Sequence, residues 1–152
     1  MKKVSFLIVI FILFSFVSVF SAHGEKAADG VLLKKLNVAS TEHDIIQLML
    51  KKGEYEKIPA EIDNILNLEL PSKFEKAVMK EILIVSNDLH KKGENEIALL
   101  IIDKGLNYCK SDENKVILLK VKAAFLKSMG KLEEAIKVFK KAVKLEKRSI
   151  EK

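Results

Sequence analysis

From residue 41 onward the apolar positions recur every three or four residues instead of alternating. That spacing marks helices that each bury one face. Residues 114–147, NKVILLKVKAAFLKSMGKLEEAIKVFKKAVKLEK, read as two amphipathic helices folded back on each other around Met129-Gly130. Weaker copies lie upstream, folded at Gly53 and Gly93, and the glycines stand 40 and 37 residues apart. The pattern predicts helices over about residues 41–52, 55–68, 73–91, 94–108, 112–128 and 132–148. Glycine suits these turns because it enters the left-handed conformation that ends a helix. Thr41, with Asp44 behind it, is expected to cap the first helix. Ser72 is expected to open the second hairpin, with Glu75 completing a capping box. Pro59 falls near a helix start, where proline is tolerated. Residues 25–40 read as a lead-in, in which Asp29-Gly30 caps a brief helix ending near Asn37. Residues 149–152 are expected to fray.

The first 24 residues stand apart. Lys2 and Lys3 precede an uncharged apolar run, VSFLIVIFILFSFVSVF, and the small residues Ser21, Ala22 and Gly24 follow. This is the pattern of a secretory signal peptide, with an uncleaved anchor as the alternative. Either way the rest of the chain is expected outside the cytoplasm. Membrane contact is expected only through this segment, if it stays attached. The signal-peptide style and the Lys- and Ile-rich composition point to a bacterial envelope, in the periplasm or beyond.

Charge changes the picture in one respect, because it is unevenly placed. From Asn114 onward there are 12 basic and 4 acidic residues, whereas residues 25–113 carry 13 basic and 17 acidic. A molecule polarised in this way is steered toward acidic partners by its C-terminal end, or toward another copy of itself. Solubility alone also accounts for lysine-rich helix faces. Candidate chemistry is sparse. Three histidines and the single Cys109, far apart in the chain, make no metal set, and no cofactor is expected. There is no haem attachment motif, no glycine-rich phosphate loop and no nucleophile elbow. Glu133-Glu134 reads as a first-turn pair favouring the helix dipole. The chain is therefore expected not to be an enzyme. Nucleic-acid binding is disfavoured by export and by the lack of aromatic platforms. Cys109 has no partner within the chain. It reads as a small hydrophobe, or as one half of a disulfide between molecules.

Aligned on their glycines, the three hairpins share a residue pattern. Ala135, Phe139, Ala142 and Val143 follow Gly130 at +5, +9, +12 and +13. Ala98, Ile102, Gly105 and Leu106 follow Gly93 at the same offsets, as do Ile58, Ile62, Ile65 and Leu66 after Gly53. Ahead of the turns, Ala123 and Leu126 match Ser86 and Leu89, and then Ile46 and Met49. This resembles the tetratricopeptide repeat, which places small residues where helices A and B of a hairpin approach and a large apolar residue where hairpins meet. The third hairpin carries most of the signature. The first has bulky Ile46 and Ile58 at the small positions, and the intervals exceed that family's period of about 34 residues. The resemblance implies an all-α fold: a right-handed array of about three antiparallel helical hairpins. Its units would be about 41–71, 72–110 and 111–149, a repeat domain of 41–149 behind the signal peptide. A generic antiparallel bundle with the same spacings is the other reading.

In such arrays the A helices line a concave face. Phased from the glycines, that face is expected to hold His43, Gln47 and Lys51, then Lys80, Leu83, Asn87, His90 and Lys91, then Lys120, Ala124, Lys127 and Ser128. These are basic and amide-bearing, which suits an acidic peptide or protein. Asn87 and Lys120 match the positions with which some relatives clamp a terminal carboxylate, whereas His43, Gln47 and Ala124 do not. A second surface is expected on the last helix. There Lys137, Lys141, Lys144 and Arg148 form a stripe, with Val138 and Leu145 at its apolar edge. No solvating helix follows, so Val138 and Leu145 are expected to be exposed and open to a partner, unless the lysine stems cover them. The functional expectation is a non-catalytic adaptor that binds through the basic face. The alternatives are a self-associating component using the last helix and a binder of acidic envelope polymers.

Overall fold

The structure is a computed structural model and describes residues 26–151. The signal-peptide or anchor segment lies outside the described residues. Contacts divide the chain into two compact units between Val31 and Leu32. Of the first, only residues 26–31 are described, and they are helical. The second unit contains the core.

Among the described residues the chain is all helix and turn, with no strand. Six α-helices follow in order: α1 (Lys26–Lys52), α2 (Ile58–Leu66), α3 (Glu75–Lys91), α4 (Asn95–Tyr108), α5 (Asp112–Ser128) and α6 (Leu132–Ile150). Short 3-10 turns at Tyr55–Lys57 and Ser72–Phe74 lead into α2 and α3. No helix among the described residues is long and apolar enough to cross a membrane.

The three glycine turns share one geometry. Gly53, Gly93 and Gly130 have φ of +78°, +87° and +78°. In each turn the amide after the glycine reaches back to the carbonyl four residues before it. These bonds are Glu54 N to Met49 O at 3.0 Å, Glu94 N to Leu89 O at 3.0 Å and Lys131 N to Leu126 O at 2.9 Å. Gly93 N and Gly130 N also bond His90 O and Lys127 O, at 3.0 and 3.1 Å. This is the Schellman arrangement, which satisfies the last carbonyls of one helix and aims the chain into the next. A side chain at these φ values is strained by roughly 1–2 kcal/mol, which is why glycine recurs here.

The turns fold α3 onto α4 and α5 onto α6. Between hairpins, α4 meets α2 and α5, and α3 meets α5. The shared residue positions carry these contacts. Ser86 and Ala123, seven residues before their glycines, are fully buried, as is Ala98. Ile102 and Leu118 are buried between the second and third hairpins. Each such side chain contributes roughly 1.5–3 kcal/mol relative to leaving it in water. Gly105 lets α4 approach most closely: a Cβ there would lie 2.8 Å from Ile82 Cγ2 on α3 and 3.2 Å from Leu118 Cδ1 on α5. In the first hairpin, Ile46 and Ile58 fill the positions that hold small residues elsewhere, and both are fully buried.

Four local expectations are corrected. The lead-in and first helix are one continuous helix, and Thr41 sits inside it instead of capping it. Its hydroxyl donates to Asn37 O at 3.0 Å, the internal alternative open to threonine. The 55–68 helix is replaced by a 3-10 turn and the shorter α2, which starts at Ile58 with Pro59 in its first turn. Ser72 and Glu75 make no capping box. Pro71 stands at the N-cap of the 3-10 turn, and the Glu75 carboxylate turns inward to the start of the third hairpin. At the C-terminus, α6 stays helical through Ile150, past the point where fraying was expected.

Candidate functional site

Helices α1, α3 and α5 are tied edge to edge by side chains near their glycine ends or middles. His43 on α1 donates from Nδ1 to Glu81 Oε1 on α3 at 2.8 Å, with both side chains mostly buried. The bond to Glu81 raises the His43 pKa above its ordinary value. Burial opposes that rise, and the charges of Glu81 and Asp44 add to it. On the next pair of helices, His90 bridges Asn95 Oδ1 at 2.6 Å and Ser128 Oγ at 3.0 Å, and its ring stacks on Phe125 with centroids 4.1 Å apart.

These ties redistribute the residues expected to face a partner. His43 faces an acid, so the surface is not purely basic. Asn87 is occupied with its own helix, donating to Leu83 O at 2.8 Å. Lys120 reaches away to Glu146 on α6 at 2.8 Å. Lys91 lies 3.7 Å from Asp88, an exposed pair worth little. His90 and Ser128 are brought together as a structural contact. Lys51, Lys80 and Lys127 are exposed and have no hydrogen-bond or ion-pair partner among the described residues. Gln47 is half-buried. No carboxylate clamp is assembled, because Asn87 and Lys120 are both engaged elsewhere.

The raised His43 pKa has a definite sign. A group stabilised in its charged form contributes fully below its unfolded value of about 6.5, and that contribution disappears as pH rises through the folded value. The wild-type unfolding midpoint is therefore expected to exceed that of His43→Gln at pH 6. The gap, about 1 kcal/mol, should close as pH rises past 6.5. Thermal melts followed by circular dichroism across that range check it. A gap that does not change with pH would count against the His43–Glu81 ion pair.

On the last helix the exposed apolar residues are not the ones the lysine stripe pointed to. Val138 and Leu145 are half-buried on the side facing α5, and Val138 packs against the core. The exposed ones are Leu132, Ile136, Phe139, Val143 and, at the helix end, Ile150, at 57, 54, 39, 47 and 80 %. Beside them Lys140, Lys144, Lys147 and Arg148, with Val143 and Glu151, line a shallow depression of about 450 Å³. Lys137 and Lys141 are exposed farther round the helix. The signal that finds the true stripe was present: Ile136, Phe139 and Val143 stand where Leu99, Ile102 and Leu106 stand after Gly93.

Among the described residues a buried polar cluster is centred on Glu75, whose spacing from Ser72 suggests a cap instead. Its carboxylate accepts from Lys110 N and Ser111 N, both at 3.0 Å, and from Asn114 Nδ2 at 2.7 Å. Burial pushes its pKa up, but these three donors, with the Lys115 charge behind them, hold it below the ordinary glutamate range. A shallow cleft of about 390 Å³ opens beside it, edged by Lys73, Lys76 and Lys110. In the first hairpin Glu42 meets Glu61 and Asn64. There burial first, then the neighbouring carboxyl, pushes the Glu42 pKa up. Cys109 is buried, and burial followed by the Glu75 charge pushes its thiol up to about 11. It behaves as a small core hydrophobe, out of reach of a disulfide with another molecule. Among the described residues no three histidine, cysteine or acidic groups converge on a metal position. The sequence matches no protein-family model and no curated protein.

Proposed function

We propose that this protein is an exported, non-catalytic module of the tetratricopeptide-repeat type. In this reading the three hairpins stack as a right-handed array, and the α1–α3–α5 face holds an acidic segment of another envelope protein. One observation carries the reading: three A helices are tied side by side, and the exposed lysines left on that face have no counter-charge of their own. Lys51, Lys80 and Lys127 would supply the attraction. A basic face of this kind gives specificity and association rate more than raw affinity, so binding should weaken as salt rises. Export rests on the N-terminal charge and hydropathy pattern alone.

The reading is tested in the producing organism with an epitope-tagged full-length chain. Beside it goes a Lys51→Glu, Lys80→Glu, Lys127→Glu variant with unchanged helical circular dichroism. The expected result is one envelope protein captured by the wild type and reduced at least tenfold with the variant, about 1.4 kcal/mol or more. Equal capture by both chains would overturn the reading.

A further inference from the structure

The apolar stripe on α6 has an internal template. In the second hairpin Leu99, Ile102 and Leu106, at +6, +9 and +13 from Gly93, are buried or half-buried. α4, the helix that carries them, packs against α5. Their counterparts after Gly130 are Ile136, Phe139 and Val143, and among the described residues no helix covers them: all three are exposed. The stripe is thus the same surface that a helix already covers one repeat earlier.

The charges on it are changed in one telling place. At +10 from its glycine the first hairpin has Asp63 and the second has Asp103. Each is neutralised by a lysine of the following hairpin: Lys104 Nζ lies 2.7 Å from Asp63, and Lys122 Nζ lies within 2.8 Å of both Asp103 oxygens. In the last hairpin +10 is Lys140, exposed and without a partner among the described residues. Lys104 comes from α4, whereas Lys122 comes from α5, the helix packed on α4, so a helix that covers α6 in the register of α5 pairs with Lys140 by bringing a carboxylate to the place of Lys122.

A second copy does not meet that demand. Stacked in the register of the existing hairpins, its α1 would set Lys51 against Lys127, in the places of Ser128 and His90. Lys140 would face Ile45, in the places of Asp103 and Lys122. A like-charge contact and an unpaired lysine oppose self-stacking. We infer that the α6 stripe is the docking site for an amphipathic helix of another protein, with a carboxylate placed to pair with Lys140. This surface is separate from the lysines of the α1–α3–α5 face and stands or falls independently of them.

The chain supplies its own probe, because α5 is the helix that covers the equivalent stripe. Two fluorescent peptides of residues 112–128 are compared for binding to the full-length protein by anisotropy, one with Lys122 and one with Lys122→Glu. The Lys122→Glu peptide is expected to bind about tenfold tighter. The preference should reverse on Lys140→Glu protein, and both peptides should be lost with Phe139→Asp. Because Phe139 and Lys140 are exposed, these variants are expected to keep the wild-type circular dichroism. The inference is overturned if neither peptide binds, if binding ignores the charge swap, or if it survives Phe139→Asp. It is equally overturned if the protein alone sediments as an oligomer that Phe139→Asp dissolves. Stripe-dependent capture by phosphatidylglycerol vesicles, with no peptide binding, would give the surface to lipid instead.

Discussion

Replacing Glu75 with alanine is expected to be among the most damaging single changes outside the apolar core, costing roughly 3 kcal/mol and lowering the melting midpoint by about 10 °C. The side chain is buried, and its two oxygens satisfy three donors that no other group reaches: two backbone amides at the entry to α5 and the Asn114 side chain. Truncation removes these bonds and leaves the donors desolvated, which costs more than a hydrogen bond is worth on average. Glu75→Gln keeps one acceptor and should fall about halfway. The pH dependence separates the two effects. Because the folded pKa is depressed, the carboxylate's contribution is present above the unfolded value of about 4.3 and is lost as pH falls through the lower folded value. Wild type should therefore lose stability on acidification below about pH 4.3 more steeply than Glu75→Gln does. Parallel acid limbs in urea titrations would show that the carboxylate does not hold this junction.

Gly105→Ala should destabilise although alanine is the better helix former. Propensity alone favours the substitution by about 1 kcal/mol. Against that, the new methyl would stand 2.8 Å from Ile82 Cγ2 and 3.2 Å from Leu118 Cδ1, and both side chains are fully buried. Ile82 Cγ2 sits on a branched, fixed carbon, so relief requires α4 to move away from α3 and α5. Overpacking of this kind costs typically 1–3 kcal/mol, which leaves a net loss of about 1–2. Ile82→Val should not relieve the clash, because valine keeps the offending methyl, whereas Gly105→Ala combined with Ile82→Ala should recover part of it. Urea midpoints of the single and double variants read this coupling directly. Simple additivity of the two losses would show that α4 does not lie as close as described.

The hairpin boundaries could be read from the sequence because they rest on local chemistry. A glycine at positive φ, small residues at fixed offsets and a proline in a first turn each act within a few residues. What could not be read depended on partners far along the chain. Ser72-x-x-Glu75 has the letters of a capping box, but Glu75 finds its donors 35 to 39 residues later. Thr41 is a good cap in isolation, yet nothing before it breaks the helix, so its hydroxyl turns back on Asn37. The lysines of the A-helix face look equivalent by periodicity, but Lys120 is taken by Glu146, 26 residues away. On α6 the conspicuous lysine stripe drew attention to Val138 and Leu145. Comparison with the offsets of the preceding hairpin would have picked out Ile136, Phe139 and Val143.

The Glu75 junction also bears on how the molecule comes apart. It ties the start of α3 to the start of α5 through a buried polar network, and Gly105 locks α4 between those two helices. The second and third hairpins are therefore expected to open as one cooperative block. The first hairpin is held to them mainly through its isoleucines, one histidine–glutamate bond and the Asp63–Lys104 pair. Stability in a chain of nearest-neighbour contacts is a sum of such links. The weakest link here lies between the first hairpin and the other two, so fraying begins at the end that the N-terminal segment leads into, and the charged C-terminal helix is among the last parts to lose its place.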